Sequence, residues 1–367
     1  TLHARRPAER STPSSHMSRT VEDGKKLPWY RRGGMHVTEP SHAIVMVVLQ
    51  YTLMHDILGE QWSGWHVAYL AIIALCMLAG QLNDVRNDRW FYCCMVMPTY
   101  FASISLVGGV NHPLLAAAGA VLLLVLKVGV CMSVCLHRYA AHAAFKCSPA
   151  MSLVLQWTGC LANQGGPLWW ASNHRCHHKF CDADDHARDP HSPQLDGVAN
   201  AFAFIASHKQ LKEAFTPRHC DTYGARVLDT FAIVPVVLEM ALLRALLGGP
   251  GLWMSFVSGW AAQILTLWFN VVNHAVEHEP LPQAAKVQPA KPCHATDTAA
   301  SLNPNVFFWF LNQFLWVGAL CGEGAHAHHH THARLAHRPG VDLPFHLFVR
   351  PLLAAGLVWD VKTEGRE

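Results

Sequence analysis

The fold class the sequence predicts is all-α, an integral membrane bundle of helices, and three observations predict it. Of 367 residues, 51% are hydrophobic and 14% are charged, whereas a soluble globular chain carries about a quarter charged residues. The apolar residues are gathered into uninterrupted runs of the length that crosses about 30 Å of hydrocarbon. Lys and Arg lie mostly outside those runs, and the net charge of +3 is a modest excess that does not imply nucleic acid.

Residues 1–40 hold eight Lys or Arg against four Asp or Glu, with Pro, Ser and no apolar periodicity, which predicts a disordered basic tail. The first twenty are rich in Arg and Ser and nearly free of acids, a pattern shared by part of an organelle transit peptide and by an ordinary basic tail. Six runs are then expected to span: 42–58, which contains His55 and Asp56, then 66–82, 91–111, 114–136, 229–247 and 252–272. The first two form an N-terminal hairpin, 41–82. With the N-terminus in the cytosol, the outer loops 59–65, 112–113 and 248–251 contain no Lys or Arg. The tail and loop 83–90, with Arg86 and Arg89, carry the positive charge, as the positive-inside rule requires. Two further apolar stretches, 151–170 and 305–321, are expected not to cross, because one crossing would put the histidines that follow on the other face of the membrane. Gly165, Gly166 and Pro167 are expected to end the first of them.

The chain has 12 cysteines and no CxxC pair, and Cys76, Cys93, Cys94, Cys131, Cys135 and Cys160 fall inside apolar stretches, so no disulfide framework is expected. It also has 26 histidines. Clustered imidazoles beside membrane segments point to metal. The first cluster is His137-Arg-Tyr-Ala-Ala-His142 at the cytosolic end of the 114–136 span. Five residues turn the two rings about 140° apart on an ideal α-helix, so the pair binds one ion only if the helix end unwinds. The second is His174-Arg-Cys-His177-His178, whose spacings of three and four put all three rings on one side of a helix, able to converge on a shared site. The third, His326-Ala-His-His329-His330, follows Gly322-Glu323-Gly324 and repeats HxxHH. His328 breaks that spacing and is left out. Elsewhere, single histidines such as His66, His208 and His346 read as solvated or hydrogen-bonded side chains.

Through HRYAAH, WWASNHRCHHKF with DPHSP after it, and GEGAHAHHH, the sequence resembles the membrane fatty acid desaturases, most closely the stearoyl-CoA (acyl-CoA delta-9) type. GLVWDVK at 356–362 is similar to the end of bacterial members, and the resemblance covers about 90–362, taken as the desaturase domain. It implies a di-iron centre on the cytosolic face held by nine histidines: His137, His142, His174, His177, His178, His274, His326, His329 and His330. Asn270, four residues before His274, is implied to reach the second iron through water; Asn273 with His278 is one residue too long. Asp189 and Glu323 are carboxylates able to fix a histidine tautomer. Gln164, Trp170 and Thr266 fall where the family lines its acyl tunnel. The sequence departs from the family at Ser172-Asn173, where an Arg-Asp meets the CoA head group, and at Leu267, where a Trp is usual.

The resemblance implies an oxygen-dependent oxidoreductase that uses O₂ and two external electrons to put a double bond, at delta-9, into a long-chain acyl-CoA or acyl lipid. No HPGG motif of cytochrome b5 and no nucleotide-binding glycine fingerprint occurs in the chain, so a separate donor is expected, cytochrome b5 or ferredoxin. The expected location is the endoplasmic reticulum with the site cytosolic, with a plastid membrane or a bacterial inner membrane as alternatives. Acyl-lipid or sphingoid desaturation and hydroxylation remain open on the same scaffold, and a histidine-rich metal transporter is the alternative from another class.

Overall fold

The computed structural model describes residues 21–22, 25–26, 40–82 apart from 62, 97–181, 189, 211–274, 295, 297 and 321–364 apart from 341. Most of the expected tail, loop 83–90 and residues 305–320 lie outside the described residues. A minimal strand pair, β1 (Val21–Glu22) with β2 (Lys25–Lys26), precedes the helices.

Helices α1 (Pro40–Leu58) and α2 (Gly64–Leu82) pack on each other. Helix α3 (Met97–Ser105) runs into a 3₁₀ turn, Leu106–Gly109. The described part of the 91–111 run is therefore short: Gly109 lies so close to Ile57 of α1 that a Cβ would clash, and the chain turns there. Gln50 of α1 and Ser103 of α3 exchange buried hydrogen bonds of 2.8 and 3.0 Å.

Helix α4 (Pro113–Ala141) starts on Pro113, whose missing N–H costs nothing at a first turn. It is α-helical to Leu126 and π-helical over Lys127–Ala141. Helix α5 (Pro149–Cys160) is capped by Ser148, which accepts from the Met151 N–H at 3.2 Å. A break with positive φ at Asn163 and Gly165 separates it from α6 (Pro167–Phe180). The 151–170 stretch is thus two helices and a turn.

Helix α7 (Tyr223–Thr230) meets α8 (Ile233–Leu247) at a 65° bend, and α9 (Gly249–Val272) follows. The uninterrupted 229–247 helix expected from the sequence is not observed. Buried Asp229 accepts from the Trp169 N–H at 2.9 Å, and a carboxylate drawn to the first turn of α6 holds α7 across it, out of line with α8. Among the described residues two helices, α4 and α9, are long and apolar enough to cross a membrane, and a third if α7 and α8 count as one span. Leu114, Leu115 and Leu122 on α4 and Leu242 and Leu246 on α8 are exposed, as side chains facing lipid are.

The C-terminal part holds α10 (His326–Thr331), α11 (Phe345–Ala354) and β4 (Val358–Trp359). Strand β4 pairs antiparallel with β3 (Lys146–Cys147), and the Lys362 N–H donates to the Ala144 carbonyl at 2.9 Å. The GLVWDVK segment thereby anchors beside the end of α4. Seven of the described cysteines are free; against the expectation of no disulfide framework, Cys181 is disulfide-bonded.

Candidate metal centre

All nine histidines singled out in the sequence meet at one end of α4 and α9. Their order in space differs from their order in the chain. His137, His142, His174, His178 and His329 form one group; His177, His274 and His330 form a second, with Cys181 beside them, each set of donor atoms lying within 4.8 Å. His326 completes the second, its Nε2 3.1 Å from that of His274 and its ring centroid 4.7 Å from that of His330. Cys181 presents Sγ to His274 Nδ1 at 3.8 Å, but a disulfide sulfur is no thiolate donor.

His137 and His142 do share a group, with ring centroids 5.0 Å apart. The reason is the π-helix: the His142 N–H donates to the His137 carbonyl, five residues back, at 3.2 Å. A turn closed at i+5 brings the sixth residue round to nearly the same side as the first. The helix stops there, at Ala143 with φ 51°.

The two HxxHH clusters behave otherwise than expected. The spacing does not bring three rings to one ion. In α6 the pair His174 and His178 faces the first group and His177 the second; in α10 the pair His326 and His330 faces the second and His329 the first. One helical turn aligns i with i+4 and leaves i+3 displaced toward the neighbouring group.

Within the first group the Nε2 atoms approach at 2.9 Å (His137 and His329), 3.0 Å (His142 and His174), 3.1 Å (His174 and His178) and 2.9 Å (His178 and His329). In the second, His177 and His330 approach at 3.3 Å. The Nδ1 of His137 lies 3.1 Å from Glu323 and that of His177 2.7 Å from Asp189. A carboxylate at Nδ1 keeps the proton there, so Nε2 carries a lone pair. Lone pairs facing one another at about 3 Å are repulsive unless a cation lies between them. Metal–imidazole bonds of about 2.1 Å at right angles give that separation. The donor set therefore fits metal, two ions side by side.

Electrostatics agree. Burial first, then the charges of neighbouring imidazoles and, at His329, of Arg338, hold His174, His326, His329 and His330 well below the ordinary histidine range. They are thus kept in the neutral form that binds metal. Glu323 is buried, which pushes its carboxyl up, yet His137, Arg338 and Arg138 hold it well below the usual carboxylate range.

Asn270 is buried on α9, one turn before His274. Gln164 donates to Thr266 Oγ1 at 2.9 Å and accepts from Trp170 Nε1 at 2.9 Å, and Trp170 stacks on His174 with centroids 4.8 Å apart. His328 turns away, stacked on His332 and 3.3 Å from Glu364. Ser172 and Asn173 are engaged internally: Ser172 Oγ donates to the Trp169 carbonyl and accepts from the Lys212 N–H, and Asn173 Nδ2 donates to the same carbonyl.

Glu323 apart, sequence reasoning missed the support beneath α10. Arg138, inside the first cluster, is fully buried and donates to Asp342 at 2.7 Å and to the Ala336 carbonyl at 2.7 Å. Asp342 also accepts from the N–H groups of Arg338 and Phe345. Ser133 donates to Glu323 and to the Cys321 carbonyl. Gly322, with φ 66°, has Asp342 and Arg138 where a Cβ would sit. The available signal was a charged residue within each motif, Arg138 in HRYAAH and Glu323 before the third cluster.

No family model matches the chain. Curated proteins do. A hex-5-enoyl-[acyl-carrier protein] acetylenase of Moorena producens is 30% identical over 251 residues, 63% of this chain and 72% of that protein. A chloroplastic palmitoyl-monogalactosyldiacylglycerol delta-7 desaturase of Arabidopsis thaliana is 30% identical over 249 residues, 62% of this chain and 56% of that one. An acyl-CoA 5-desaturase of Anemone leveillei is 28% identical over 214 residues, 53% and 54% respectively. The chain thus spans little more than half the length of the last two.

Proposed function

This chain belongs to the membrane fatty acid desaturase family, and on that premise we propose that it inserts a double bond into a long-chain acyl substrate at a pair of irons. One observation carries the reading: nine histidines, divided five and four, bring their ring nitrogens together at two adjoining centres at one end of the membrane helices, with carboxylates at the Nδ1 of His137 and His177. The family is an iron-dependent group of membrane oxidoreductases, and imidazole suits iron among several metals.

On this reading His137, His142, His174, His178 and His329 hold one iron. His177, His274, His326 and His330 hold the other, with Asn270 reaching it through water. Bound iron supplies what no side chain has, activation of O₂ against an unactivated methylene. Glu323 and Asp189 fix the tautomers of His137 and His177. Buried Gln164, Trp170 and Thr266, tied together by hydrogen bonds, form a rigid wall against which the chain is laid, since a displacement of about 1 Å can cost a hundredfold in rate. Two electrons arrive from a separate donor, cytochrome b5 or ferredoxin.

The finer assignment is delta-9 chemistry on acyl-CoA or acyl lipid, at the endoplasmic reticulum with the site in the cytosol. Ser172 and Asn173, committed to the Trp169 carbonyl and to Lys212, offer no charge to a CoA head group, which favours the lipid carrier. The test is the fatty acid profile of a desaturase-deficient yeast expressing the chain beside H177A/H178A. New monounsaturated acids that vanish in the variant support the reading and locate the double bond. Hydroxylated product without alkene overturns it.

A further inference from the structure

One sulfur lies among the histidines without a part in the reading above. Cys181 caps the C-terminal end of α6, four residues after His177, and the two share a face of that helix. Its Sγ stands with the donor atoms of His177, His274 and His330, all within 4.8 Å of one another, and lies 3.8 Å from His274 Nδ1. Donors that close can meet on one ion, since metal–sulfur bonds run to about 2.3 Å and metal–imidazole bonds to about 2.1 Å. Helix α6 thus offers one i, i+4 pair to each group, His174 with His178 to the first and His177 with Cys181 to the second. Cys176, buried inside the same motif, belongs to neither. With His326 the second group counts four histidines, and Cys181 is its fifth candidate donor.

What withholds this sulfur from metal is its disulfide, because the thiolate is the form that ligates. A purely structural disulfide is out of place on the cytosolic side, where the proposed function puts this site. Thiols are kept reduced there, and the disulfides that do form are mostly transient, catalytic or redox-sensing.

We propose that Cys181 is a redox-released ligand of the four-histidine centre. The inference rests on the proposed function for the metal and for the cytosolic face. While the disulfide is closed, the centre has four histidines and the place given above to water beside Asn270. A dithiol reductant opens the bond by exchange: its two thiol protons and two electrons pass to the two protein sulfurs, and it closes to its own disulfide. The Cys181 thiol then loses its proton to solvent as the sulfur binds the metal. Sulfur takes the place of that water, and the centre has no open position until an oxidant closes the disulfide again.

The test loads the purified full chain in detergent with Co²⁺, whose bond to a thiolate gives a near-ultraviolet charge-transfer band that imidazole does not give. Dithiothreitol is used for reduction and removed before loading. The oxidised protein should show no band; the reduced protein should show one, and Cys181 should lose its labelling by iodoacetamide until Co²⁺ is chelated away, as peptide mass spectrometry reads. In C181S the band should be absent in both states while the histidines still take Co²⁺. A band that persists in reduced C181S, or that is equal in oxidised and reduced wild type, overturns the inference. So does a reduced wild type that binds Co²⁺ without a band. Should C181S fail to fold, the labelling of wild type decides, and Cys181 alkylated equally with and without Co²⁺ overturns the inference alone. Wild type that takes up no Co²⁺ in either state overturns the metal reading and the inference with it.

Discussion

The two HxxHH clusters carry one spacing and opposite allegiance. Helix α6 gives its i, i+4 pair to the five-histidine group and its middle ring to the other; α10 does the reverse. Neither group can form without both helices. Their supports differ as much. Helix α6 has 14 residues, opens on a proline and is seated by Asp229 at its first turn. Helix α10 has six residues, too few to hold themselves in register. It is held from outside, by Glu323, Ser133, Arg138 and Asp342. A long helix positions its ligands through its own ends; a short one needs a buried charge network.

The sharpest break in that comparison comes from the histidine pair that follows neither rule. Deleting Ala140 brings His137 and His142 four apart and removes the need for a π-helix. The helix end beyond also rotates and shortens. The proposed iron of the five-histidine group should be lost and turnover should fall by at least about a hundredfold, the cost of about 1 Å of misplacement. Metal analysis together with product yield checks it, and full iron with wild-type turnover would show that π geometry is incidental. Next in size is Arg138→Met. It leaves Asp342 buried without its ion-pair partner, which costs about 3–5 kcal/mol, and because α10 feeds both groups, both metals should weaken together. By contrast Asp189→Asn removes the carboxylate at the Nδ1 of His177, a ligand of the four-histidine group. It should lower affinity for the metal of the four-histidine group by about 10–100-fold and spare the other, which stepwise metal titration resolves.

How much of this was legible beforehand varied with the physics involved. Eight of the nine histidines that the structure brings together stood out by their clustering, since ligand chemistry is written in residue type, and His274 was named only through the family resemblance. What each cluster does was not legible, because the pattern HxxHH fixes directions on one helix and says nothing about where the second helix lies. The first cluster hid its geometry for another reason: apolar periodicity over 114–136 looks alike in an α-helix and in a helix that widens at Lys127. The bend at Phe231–Ala232 was missed because hydropathy runs through it unbroken, while the cause, Asp229 turned to α6, is a tertiary contact. The same holds for Arg138 and Asp342, 204 residues apart in the chain.

The smallest effect expected, and the one that tests the electrostatics of both supports at once, is on the stability of the metal-free protein. His174 on the long helix and His326, His329 and His330 on the short one are held by burial well below their ordinary range. Their unfolded counterparts take up protons below pH of about 6.5. Between that value and their depressed folded values the unfolded chain binds more protons, so stability is full above about pH 6.5 and falls as pH drops. Glu323, also depressed when folded, acts with the same sign but lower, its contribution fading only below a pH of about 4.3. The metal-free protein in detergent should therefore lose thermal stability in two stages on acidification, the first much reduced in a variant with His326, His329 and His330 changed to Gln, where His174 remains, and the second removed in Glu323→Gln. A melting temperature flat from neutral pH to 5 would mean that these imidazoles are not desolvated without metal, and that the metal, rather than the buried network, holds α10 in place.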